Sequence, residues 1–159
     1  MGRKKKKRII ADADSLNFVK RELKQYAALK EECQRFENER TSLLQKIGFD
    51  ACFYEAHSFP VSELFQHRDC AIFDKIAIED FLQKREVLYL LEHGFWLLDE
   101  ETREIMEDLY IRNISWEDII KQRRLSRMTL CRKRNYGLNE MALWIDQYFR
   151  WKVEVQYCK

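Results

Sequence analysis

Arg132 and Asn135 are the side chains in this sequence best suited to reading a nucleic acid base, and Met128 stands one helical turn before Arg132. A guanidinium can donate two hydrogen bonds to guanine, a carboxamide can pair with adenine, and a thioether methyl can touch the methyl of thymine. Seven basic residues and no acidic one lie between Asp118 and Glu140. Taking Leu130 as core-facing and advancing about 100° per residue, Met128, Cys131, Arg132 and Asn135 point outward. Arg134, Gly137, Met141 and Tyr148 fall on the core side. Arg127 and Lys133 flank the outward face, where phosphate contact is the natural role. Arg123 and Arg124 sit in the preceding turn, placed to grip a sugar-phosphate backbone.

Two short helices must position these groups. Ser115-Trp116-Glu117-Asp118 has the capping spacing S-x-x-D, so a helix is expected from Trp116. Ile119, Ile120 and Leu125 supply its packing surface. Ser126 caps the next helix, whose third position holds Thr129 in place of an acid that would repel phosphate. A solvated basic helix face would show the same charge. The paired caps and the apolar core positions favour a positioning helix followed by a reading helix, the geometry that enters a major groove.

Charge is distributed to suit such a site. Arg3, Lys4, Lys5, Lys6, Lys7 and Arg8 form a second basic run. The two runs together hold thirteen positive charges, so a net charge of +2 leaves the rest of the chain at −11. An acidic body repels phosphate except where binding is wanted. Residues 1–14 are expected as a disordered basic arm, either a solubilising tail or a non-specific phosphate contact.

The remaining chain reads as all-α, with one proline and four glycines leaving little material for strands. Ser15 to Lys46 is expected as one amphipathic helix of roughly 48 Å, with Val19, Tyr26, Leu29, Cys33, Phe36, Arg40, Leu43 and Ile47 on its seam. Gly48 to Pro60 breaks the pattern. A second seam, Phe81, Lys84, Leu88 and Leu91, extends through Phe95 and Leu98. The seams predict a helical hairpin or coiled-coil region over residues 15–97, pairing within one chain or between two copies in a homodimer. His93-Gly94 marks either a helix end or a continuous helix. Asp99 is expected to cap the next helix, with Ile105 and Leu109 buried and Asn113 after its end. A DNA-binding domain then covers 98–152, with aromatics from Trp144 to Trp151 packing inward, and 153–159 form a tail.

Residues Leu98 to Leu138 resemble the fourth region of bacterial sigma factors. The match rests on Tyr110, on Ser115-Trp116-Glu117-Asp118-Ile119-Ile120, and on Ser126-Arg127-Met128-Thr129-Leu130-Cys131-Arg132. The chain as a whole is similar to phage and prophage late-transcription regulators of the RinA/ArpU type. The resemblance implies a tri-helical DNA-binding domain acting near a promoter with host RNA polymerase, and assigns DNA contacts to Arg127, Thr129 and Arg132. Arg123-Arg124 replaces the usual Leu-Gly of the turn. A left-handed turn conformation, eased by glycine in the family, would here fall on an arginine.

Other chemistry finds little support. Five scattered cysteines suggest reduced thiols in a cytoplasmic setting. The N-terminus is basic and then polar, unlike a secretion signal, and no apolar run is long enough to span a bilayer. Cys52, His57, His67 and Cys70 lack a persuasive zinc spacing. No catalytic residue, metal or cofactor is expected. The expectation is a sequence-specific regulator of double-stranded DNA. The alternative is a phage DNA-packaging or coiled-coil assembly protein that binds DNA non-specifically.

Overall fold

A computed structural model describes residues 8–41 and 72–157. Six helices and no strand occur among them: α1 (Ala13–Lys24), α2 (Tyr26–Glu39), α3 (Ile72–Trp96), α4 (Glu100–Tyr110), α5 (Trp116–Arg123) and α6 (Arg127–Tyr157). The chain is all-helical there. None of these helices is long and apolar enough to cross a membrane.

The expected single helix from Ser15 is two helices. Gln25 leaves helical geometry at φ −102° and ψ 5°, and the chain divides there into two compact units. Val19 and Leu23 of α1 are buried in one unit, and Tyr26, Leu29 and Cys33 of α2 in the other. An apolar seam can run unbroken through a kink, because its spacing records only which side is buried and not against what. Leu43 and Ile47 lie outside the described residues.

In the unit of α2 and most of α3, Phe36 stacks on Phe81 with ring centres 4.6 Å apart. Tyr26 donates to Glu92 at 3.0 Å, Lys84 pairs with Glu32 at 3.0 Å, and Arg85 with Glu37 at 3.3 Å. Rising positions on α2 meet falling positions on α3, so the helices run antiparallel within one chain.

The other unit joins α1 to everything after Glu92. Helix α3 continues through His93-Gly94 to Trp96. Arg103 then donates to the carbonyls of Phe95 at 2.9 Å and Leu98 at 2.8 Å, satisfying groups that a helix end leaves open. Asp99 caps α4 by accepting from Thr102 N at 3.0 Å. Ile105 of α4, Ile119 of α5 and Leu130 of α6 form a buried three-helix core, packed round by Leu109, Ile114, Trp116, Ile120 and Leu125. Helix α6 runs about 46 Å, and α1 lies along it, with Phe18 edge-on to Phe149 at 6.1 Å. It includes Val153 to Tyr157, the expected tail.

The expected disordered arm is also partly ordered. Residues 8–12 form neither helix nor strand, and α1 begins at Ala13. Ala11 N donates to Asn139 Oδ1 at 2.8 Å, and Asn139 Nδ2 donates to Ile9 O at 3.0 Å. Arg3 to Lys7 lie outside the described residues, as do Cys52, His57, His67 and Cys70.

Candidate nucleic-acid interface

Helices α5 and α6 are held by local sequence signals. Ser115 caps α5, accepting from Asp118 N at 3.2 Å and donating to the Asp118 carboxylate at 2.8 Å. Ser126 caps α6 through Thr129 N at 3.1 Å, and the two hydroxyls lie 2.8 Å apart. Arg124 makes the turn in the left-handed region, at φ 51° and ψ 43°, with its N–H bonded to Ile120 O. A glycine would reach this geometry without a Cβ penalty. The turn stays tight despite the arginine.

Leu130, Gly137, Met141 and Tyr148 are buried, as the helical period requires. A Cβ added at Gly137 would lie 2.9 Å from Met106 Cγ and 3.1 Å from Thr102 Cγ2, so α4 and α6 touch almost backbone to side chain. This contact fixes the rotation of α6. Its opposite face exposes Arg127, Met128, Arg132, Asn135 and Tyr136, with Met128 64% exposed. Arg124 is exposed in the turn before them.

Acidic groups on α4 sort the basic residues. Arg123 is half-buried and paired with Asp108 at 2.7 Å and Glu104 at 2.8 Å. Asp108 is 4% exposed and also binds Arg112, so freeing Arg123 to grip a phosphate backbone would leave that carboxylate one partner short. Burial pushes the Asp108 carboxyl up, but hydrogen bonds and charge from Arg123 and Arg112 outweigh it and hold it below the usual range. Lys133 pairs with Glu101 at 2.7 Å. Glu101 is exposed, and such a surface pair is worth at most about 1 kcal/mol, so a phosphate can displace it.

Arg134 is half-buried, with its guanidinium 5.0 Å from the centre of the Trp116 ring. Arg127 lies over the same ring at 5.8 Å while remaining exposed. Asn135 accepts from Arg134 at 3.0 Å, which leaves an exposed amide oriented by its neighbour. Among the described residues Arg124 and Arg132 take part in no salt bridge. The face thus presents uncompensated guanidinium donors, an oriented carboxamide and an apolar methyl on one rigid helix.

The docking of Arg8 and the role of Asn139 escaped the sequence reading. Arg8 rests on the ring of Tyr136 at 4.5 Å, and Asn139 holds the backbone behind it. The apolar residues after the basic run were a faint signal for a docked segment. Nothing in the helical period marked Asn139. Among the described residues no group of three or more His, Cys, Asp or Glu is arranged to hold a metal ion.

No protein-family model, curated protein or solved structure matches this chain.

Proposed function

We propose that this chain is a sequence-specific DNA-binding transcription regulator, with α5 as positioning helix and α6 as reading helix in a sigma-like helix-turn-helix. The observation that carries the reading is the exposed face of Arg127, Met128, Arg132 and Asn135, bare of acids, on a helix fixed by the close contact at Gly137. Arg132 and Asn135 meet base edges, while Arg124, Arg127, Lys133, Ser126 and Thr129 meet phosphates. The resemblance to RinA/ArpU-type regulators extends this to a phage late-gene activator working at a promoter with host RNA polymerase in the bacterial cytoplasm.

The rival is a DNA-packaging or assembly protein in which paired seams carry the function. Burial of Tyr26, Leu29 and Cys33 within the chain's own unit leaves those seams less to offer a partner. Selection from a pool of random duplexes separates the two. A regulator enriches one motif and binds it about a thousandfold or more above random DNA. A packaging or assembly protein enriches none and shows only salt-sensitive binding.

A further inference from the structure

The bare face of α6 ends at a strap. Asn139 is 7% exposed, accepting from Ala11 N at 2.8 Å and donating to Ile9 O at 3.0 Å. Its amide holds residues 9–11 against the helix one turn beyond Asn135. Arg8, where the strap begins, lies over the Tyr136 ring at 4.5 Å. Between the strap, α1 and α6 opens a cleft of about 340 Å³. Ile10, Leu16 and Leu138 give it an apolar lining, Arg8 and Lys20 give it positive charge, and Asn135 stands at it too. No acidic residue lines it. Among the described residues neither Arg8 nor Lys20 takes part in a salt bridge, and both are exposed.

We infer that Arg8 and Lys20 clamp the sugar-phosphate backbone of DNA at this cleft, beside the base that Asn135 meets, which makes α1 part of the DNA interface. The inference rests on the DNA-binding reading above. Two sugar-phosphate strands wall a major groove. The phosphate contacts assigned above to Arg124, Ser126, Arg127, Thr129 and Lys133 lie in the turn before α6 and on its first two turns, toward one wall. The cleft lies at the other end of the reading face. Asn135 belongs to both, so a base edge brought to its amide carries the neighbouring backbone to the cleft. Two cations with no acid around them leave the local charge for an anion to balance. A deoxyribose-phosphate unit fits both parts of the lining, its sugar against the apolar residues and its phosphate between the cations.

The test uses the full chain with its selected duplex and a random one. Lys20→Gln and Arg8→Gln should each weaken binding to both duplexes by the same factor, roughly three- to tenfold near 0.1 M salt, and lower the salt slope by about one. Lys24→Gln removes another exposed charge from α1 away from the cleft, and should change affinity by less than about twofold. Neutral methylphosphonates placed singly in the selected duplex then locate the contact. One of them, next to the base where Asn135→Ala relaxes selectivity, should weaken the wild type and leave the Lys20 variant unaffected. Equal losses in the Lys20 and Lys24 variants would reduce the effect to net charge and overturn the clamp. A Lys20 variant that responds to every methylphosphonate as the wild type does would overturn it too. If the chain selects no site, the DNA-binding reading falls first; a selected site bound unchanged by the Lys20 variant defeats the clamp alone.

Discussion

Arg123 and Asp108, fifteen residues apart, are joined by two hydrogen bonds of 3.1 and 2.7 Å from one guanidinium to one carboxylate oxygen. The pair ties the end of α5 to α4 and withdraws a basic residue from the surface just where the next one, Arg124, is offered to it. Side-by-side arginines thus differ in setting, one paired with carboxylates and the other exposed. Arg123→Gln should lower stability by about 1–3 kcal/mol in urea unfolding, whereas the affinity of the folded variant for DNA should fall far less than that of Arg132→Ala.

The same pair predicts acid sensitivity. The folded Asp108 carboxyl sits below its unfolded value near 3.8, so its stabilising effect is complete above that pH and is lost as pH falls through the folded value. Urea midpoints measured between pH 5 and pH 2 should decline more steeply in the wild type than in Asp108→Asn. Parallel declines would show that Asp108 contributes nothing to the acid limb.

Arg124 offers a separation of charge from backbone geometry. Replacing it with glycine relieves the left-handed conformation, which costs about 1–2 kcal/mol for a residue with a Cβ, but adds freedom to the unfolded chain. Arg124→Gly should melt at the same or a higher temperature. Its DNA affinity should nevertheless drop, with a salt dependence shallower by about one phosphate contact. A variant that loses stability without a change in salt slope would contradict both roles.

At Gly137 helical propensity and packing oppose each other. A larger side chain gains about 0.5 kcal/mol or less in propensity but meets Met106, which is fully buried and has little room to move. Gly137→Val should destabilise by about 1–3 kcal/mol. Unchanged thermal unfolding would mean that α4 and α6 do not touch as described.

Cys33 tests the second unit independently. Burial is the main cause that pushes its thiol up to about 11, so at pH 8 the thiolate is scarce and the sulfur inaccessible. Cys131 is only half-buried on α6. Peptide mapping after brief treatment with a thiol reagent should find Cys131 modified and Cys33 untouched until urea unfolds the chain. Because the folded state holds the Cys33 proton more tightly, its stabilising effect fades as pH rises from about 9 toward 11.

The parts of this fold that could be read from sequence are those decided within a few residues. Ser115, Ser126 and Asp99 cap helices by reaching a backbone N–H three residues on, so side-chain type and spacing suffice. The buried side of α6 followed from its period once Leu130 was placed inward. Arg124 stood where the turn needs a left-handed residue. What escaped depended on distant partners. Asn139 meets Ala11 across 128 positions, and no pattern within α6 announces a strap on its second side. Arg123 looked like its neighbour until α4 brought Asp108 to it. Gln25 broke a helix whose apolar seam continues, because α1 and α2 bury that seam in different units.

In the proposed function, Arg132 and Asn135 choose the DNA that the chain binds. That choice is tested most directly by mapping bound DNA across the host genome for the wild type and for Arg132→Ala/Asn135→Ala. Both substitutions are at exposed positions and should leave the fold intact, as matching thermal unfolding would verify. One or a few promoter-proximal sites are expected, which the double variant loses while weak general binding is retained. Uniform occupancy, the same in both proteins, would contradict it.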